Sequence, residues 1–396
     1  MTSAPPLVLA GVNLLDGTGT PPCADAVVVI RGERISAVGR RGDVVLPEGV
    51  EPRELGGRWL VPGLIDAHVH VEDDAGLGEL LRHGVTTARN PATTPLGLAT
   101  LRARAGREGR PDVLCAGAPI DMPPGDWPHS ELCRDAEQVR AAVRRQAAAG
   151  VDLLKLYVRL PRELVAAGIA EAHACGLPAA GDLAATSWTE AAQDGIDVLC
   201  HAVPRHPSLL GAGVREHYLR AVAARELPAA RGFMQLCDLG GPEIANMLDA
   251  LARARVTVEP TLGALHAIWF GSAGPGSEPE GRAWSNVLEL VRRLRAAGIE
   301  LLAGSDAPRP GVELGAGLHR ELAWLCETGP SAGELLALAT GRAAQALGIA
   351  DDRGTIEPGK RADLVLLAQS PLESIANLGA PCWTMKSGVI HPVAAP

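Results

Sequence analysis

A chain of 396 residues, 47% of them hydrophobic, exceeds the size at which one core usually stops growing, so a large domain with a smaller companion is expected. Its 46 acidic residues outnumber 37 basic ones, for a formal charge of -9, and no block of clustered Lys or Arg interrupts that balance. Nucleic acid and anionic membrane surfaces are therefore poor partners, and a small-molecule substrate is the better expectation.

The segment Met1 to Leu15 lacks the charged start, apolar centre and small-residue cleavage site of a secretory leader, and no apolar run approaches the roughly 20 residues that span a bilayer. Eight scattered cysteines include no C-x-x-C pair, which predicts free thiols in a reducing cytoplasm.

In chain order, residues 7–15, then 26–30 and 34–38 about the turn Arg31-Gly32-Glu33, read as short β segments rich in Val, Ile and Leu. The run 60–66 is the first strand of a longer series, continued at 85–88, 112–116, 152–157, 177–181, 196–200, 256–262 and 299–304. Between most of these lie Ala/Arg/Glu-rich segments of helical periodicity closed by Gly, such as Asp135 to Gly150 and Ala283 to Gly298. Gly271 to Gly281, rich in Gly, Ser and Pro, reads as a loop. Strands return at 362–367 and in the hairpin-like 383–390. The pattern predicts an α/β chain with a (β/α)8 TIM-like barrel over residues 59–353, and a small β-sandwich domain composed of both chain ends, 1–58 and 354–396.

Barrel enzymes place reacting groups at the C-terminal ends of strands, and the chemistry-bearing residues of this chain fall there. Leu64-Ile65-Asp66-Ala67-His68-Val69-His70 sets two imidazoles two residues apart, so that His68 and His70 share one face and form half of a metal site. Lys155 stands in the apolar run Leu153-Leu154-Lys155-Leu156-Tyr157; it is one of three lysines among 37 basic residues, and burying it unpaired would be costly. His201 ends the apolar run at 196–200, and Asp306 follows Ala303-Gly304-Ser305. Taken singly, the first suits a core histidine and the second a helix N-cap; facing one mouth, they suit metal ligation.

These residues, with Val61-Pro62-Gly63-Leu64-Ile65-Asp66-Ala67-His68-Val69-His70 and Gly354-Thr355-Ile356-Glu357-Pro358-Gly359-Lys360-Arg361-Ala362-Asp363-Leu364-Val365, carry a resemblance over nearly the whole chain to the amidohydrolase superfamily, within it the imidazolonepropionase-like and prolidase-like metal-dependent hydrolases. The resemblance implies one or two divalent metal ions, zinc or manganese. His68, His70 and Asp306 would hold one ion, Lys155 carboxylated by carbon dioxide would bridge to another, and His201 would complete the set. It also implies a homo-oligomer. One departure stands out: Asp182 occupies the position where the resembled enzymes carry a histidine at the end of the fifth barrel strand. A metal ligand, a substrate contact and a structural carboxylate are all open to Asp182. Asn90, where aspartate is usual, is expected to weaken a salt bridge to Arg89.

Asp306 is the expected general base and acid of a metal-activated water that cleaves an amide, cyclic amide or related bond. His129, in the loop Asp121 to His129, and Tyr157 are candidates for substrate contact. Glu259 and His266 flank the seventh strand, where a solvated charge and a surface residue are as plausible as a role at the site, and His319 and Glu321 read as groups that support the site from behind or pack. Two other readings remain at this point: a non-hydrolytic isomerase, lyase or cyclase on the same scaffold, and a metal-poor binding protein.

Overall fold

The computed structural model describes residues 5–107 and 109–393, so the outermost residues of the expected composite domain lie outside it. Two systems of strands account for the architecture. Both ends of the chain build one mixed eight-stranded sheet, whose main path runs Val389–Pro392, Pro381–Lys386, Leu364–Leu367, Trp59–Pro62, Leu7–Leu14, Cys23–Arg31 and Arg34–Arg40. The short strand Arg53–Glu54 pairs with Leu7–Leu14 off that path. Alternation along these strands buries Leu9, Val28, Leu60 and Leu366 on one face and Val8, Ala10, Val27 and Val29 on the other.

Inside this bracket, short parallel strands alternate with helices. Leu64–Asp66, Val85–Asn90 and Asp112–Cys115 form one sheet. Glu131–Leu132, Ile120–Asp121, Leu154–Leu156, Ala179–Gly181, Val198–Cys200 and Thr257–Glu259 form another. The two join through a bridge between Ala116 and Leu153. The ring closes around residues 299–307, where Val258 pairs with Leu301, Ala67 N–H donates to Ala303 O at 2.9 Å and Val69 pairs with Ala307. The result is a closed α/β barrel with the end sheet beside it.

Three expectations need correction. The run 60–66 is not one strand: Trp59–Pro62 belongs to the end sheet and Leu64–Asp66 to the barrel. Gly63 makes the crossing, because a Cβ there would stand 2.1 Å from Thr86 Oγ1. The eighth strand forms only isolated bridges, since the chain at 299–307 makes contact with each neighbour at few points. Gly271 to Gly281 is not wholly loop, because the helix Glu278–Ala296 starts within it, with Pro279 in its first turn. The eight cysteines form no disulfide, and among the described residues no helix is long and apolar enough to cross a membrane.

Candidate metal centre

The barrel strands end where the site begins. His68 and His70 lie just beyond Leu64–Asp66, His201 just beyond Val198–Cys200, and Asp306 beyond the bridged segment at 299–304. His201 and Asp306 have φ of 65° and 51°, the left-handed region that non-glycine residues seldom adopt, and Thr261 has 50°. The left-handed backbone at these strand ends brings His201 and Asp306 alongside His68.

His70 Nε2 is 3.1 Å and His68 Nε2 3.6 Å from Asp306 Oδ1. The ligand atoms of these three residues all lie within 4.8 Å of one another. The His201 ring is centred 5.1 Å from that of His68. Behind His68, Glu259 Oε2 accepts from Nδ1 at 2.8 Å, which fixes the tautomer and leaves the Nε2 lone pair facing Asp306. Burial pushes His68 well below its ordinary pKa, toward the neutral ligand form. Burial pushes the Asp306 carboxyl up, but the His70 hydrogen bond and the neighbouring imidazoles outweigh it and hold it well below the carboxylate range. Two imidazole nitrogens and a carboxylate oxygen converging on one point are a donor set suited to a divalent ion.

Glu259, read from sequence as a solvated charge, is fully buried and ion-paired to Arg89. The expected consequence of Asn90 therefore does not arise: Arg89 has another partner, and Asn90 spans the loop by donating to Val71 O and accepting from Ala92 N–H. Asp66 accepts from the backbone N–H groups of His68 and Ser305 and from Ser305 Oγ, locking the two strand ends together. Cys200 was missed altogether. Its Sγ receives a hydrogen bond from Lys155 Nζ at 2.7 Å and donates to Glu259 Oε2 at 3.3 Å. With Glu259 and His68 it forms a second buried group of ligand atoms. Only the residue type could have flagged it, since Cys200 immediately precedes His201.

Asp182 and His201 face each other at 3.8 Å, yet Asp182 Oδ1 is paired with Arg205 at 2.9 Å. His201 Nδ1 hydrogen-bonds Thr261 Oγ1 at 2.7 Å. Arg309 Nη2 donates to Asp306 Oδ1 at 2.9 Å from the mouth side, with its side chain 40% exposed. Asp306 does not cap a helix, because the next one begins at Ala316.

Above these groups opens a cavity of about 370 Å³ bounded by His68, His70, Lys155, Tyr157, His201 and Arg309. Trp127 and His129, stacked edge to face with ring centroids 5.7 Å apart, form part of its wall. Burial pushes the Tyr157 hydroxyl up, so it stays a neutral donor. His266 is half-buried among Trp284, Trp324 and Phe270 and does not line this cavity. Glu321 is buried and accepts from Gly263 N–H at 2.8 Å, and His319 Nε2 donates to the His83 carbonyl oxygen at 2.9 Å.

A family model described as "Amidohydrolase family" matches residues 73–377. An imidazolonepropionase of Pseudomonas putida (strain GB-1) is 30% identical over 374 residues, covering 86% of this chain and 87% of that protein. Among solved structures, a Xaa-Pro dipeptidase with bound methionine in its active site superposes with a TM-score of 0.74 at 20% identity, covering 98% of this chain and 100% of the other. Phenylurea hydrolase B superposes with the same TM-score at 21% identity, covering 99% and 100%.

Proposed function

The chain belongs to the amidohydrolase family, and from that premise we propose that it hydrolyses an amide, cyclic amide or urea-type C–N bond of a small molecule, with Asp306 as general base and then acid. The observation that carries this reading is the convergence of His68, His70 and Asp306 beneath an open cavity, with Glu259 holding His68 from behind. A dipeptidase and a phenylurea hydrolase among the structural neighbours support that bond class.

A bound divalent ion, for which zinc best suits two imidazoles and a carboxylate, would supply a Lewis acid and a water of lowered pKa. The protein's own groups do the rest. Asp306, held as a carboxylate, takes the proton of the attacking water on an oxygen and returns it to the leaving nitrogen. Tyr157 keeps its proton and can donate to the oxygen that gains charge. Trp127 and His129 close one wall, where they would orient the substrate.

The test is turnover of N-acyl amino acids, dipeptides, lactams and arylureas by zinc-loaded protein, with Asp306→Asn as the comparison. Wild-type turnover that stops on chelation and returns with zinc is expected, with the variant slower by roughly 10²–10⁴-fold while still folded by circular dichroism. Full activity of Asp306→Asn would rule out the role given to Asp306.

A further inference from the structure

The fifth barrel strand is the place to look, because its terminal residue departs from the histidine of the resembled enzymes. Ala179–Gly181 pairs in register with Leu154–Leu156, and Asp182 N–H continues the ladder to Leu156 O at 3.1 Å. Asp182 is thus fixed beside the end of the strand that carries Lys155, where a second ion would need its ligands.

Positive charge already occupies that place. Arg205, four residues beyond His201, pairs with Asp182 at 2.9 Å and is only 16% exposed. Lys155, 3% exposed, directs its Nζ at Cys200 Sγ and not at a carboxylate. Among the described residues, neither Asp182 nor Arg205 borders the cavity, whereas Lys155 and His201 do. Asp182 therefore has one oxygen spent on the largely covered guanidinium of Arg205 and does not line the cleft. Arg309 also pairs with Asp306, but it is 40% exposed at the mouth and can swing into solvent when an ion arrives. Arg205 is less than half as exposed and is held against Asp182.

We propose that the guanidinium of Arg205 stands in for a second metal ion, and that it and an uncarboxylated Lys155 limit the centre to a single ion held by His68, His70 and Asp306. A neutral histidine is replaced by a neutral Asp182–Arg205 pair, so the local charge is kept while the vacancy for a second cation is lost. This inference rests on the metal-hydrolase reading.

The experiment is elemental analysis of the full chain purified with added zinc and isotope-labelled bicarbonate, with carbamate detected by magnetic resonance. Wild type is expected to hold one zinc per chain without a carbamate signal, and Asp182→Ala to keep that zinc. The Asp182→His/Arg205→Ala double variant, checked for folding by circular dichroism, is expected to take up a second. Two zinc ions in wild type, a carbamate signal, loss of an ion in Asp182→Ala, or a folded double variant that still holds one would each overturn the proposal while leaving hydrolysis intact. No zinc in wild type would instead overturn the hydrolase reading, and this inference with it.

Discussion

A single carboxylate, that of Glu259, has to serve a guanidinium, an imidazole and a thiol while fully buried. Glu259→Gln would leave Arg89 as a charge without a counter-charge and deprive His68 Nδ1–H of a charged acceptor. Breaking a buried pair in this way costs about 3–5 kcal/mol, and losing the partner behind a metal-binding histidine costs about 10–100-fold in affinity. Urea unfolding and zinc competition against a chelator should show both losses; unaltered zinc affinity would remove Glu259 from the support of the site. Glu321 makes the opposite case, a buried carboxyl with no counter-charge among the described residues. Burial pushes it up to about 8, from an ordinary value of 4.5, against the backbone hydrogen bonds from Gly263 and Leu262 that lower it. The folded state therefore keeps a proton that the unfolded chain releases above pH 4.5, so stability from this group is whole below 4.5 and is lost as pH rises toward about 8. Glu321→Gln should remove that part of the slope, a gain on the order of a few kcal/mol at the alkaline end. Thermal transitions of both proteins across this range decide it, and parallel curves would refute it.

At the scale of elements, the helix Trp188–Gln193 leads by a short turn into Val198–Cys200 and so to His201. Its start is fixed by Ser187, which accepts from Glu190 N–H while the Glu190 carboxylate accepts from Ser187 N–H and Oγ–H. Ser187→Ala should cost about 1–2 kcal/mol, the upper part of the range for a buried cap, read as a lower urea midpoint at unchanged slope. A cost near zero would mean that packing of Trp188 alone sets the helix. Much at this scale was legible in the sequence: strand and helix alternate as the periodicity predicts, and His68, His70 and Asp306 do meet. What was not legible depends on partners distant in the chain. Glu259 meets His68 across 191 residues, and nothing local distinguishes it from a solvated glutamate. Arg205 looks like any loop arginine until Asp182 is placed beside it. The eighth strand carries an ordinary apolar run, yet barrel closure leaves it only isolated bridges.

For the whole molecule, the question is what holds the end sheet to the barrel. Lys386, in the strand Pro381–Lys386 of the end sheet, is 1% exposed and reaches Asp363 and barrel residue Asp112, each at 2.6 Å. Arg353 joins the same cluster through Asp112 and Asp352. The scarcity of lysine that draws attention to Lys155 therefore has a second meaning here: Lys386 is equally buried and serves attachment, its flexible stem and compact charge reaching carboxylates from two sheets. Lys386→Met would leave Asp363 buried without its cation, and a loss of about 3–5 kcal/mol is expected. Because Asp112 keeps Arg353, the deficit should fall on Asp363, so the Lys386→Met/Asp363→Asn double variant should recover a large part of it. If the cluster also couples the two sheets, unfolding of the single variant should split in two, with the end sheet melting before the barrel. One coincident transition at wild-type stability would show that apolar contact between the sheets suffices, and that the buried ion pairs add nothing to their attachment.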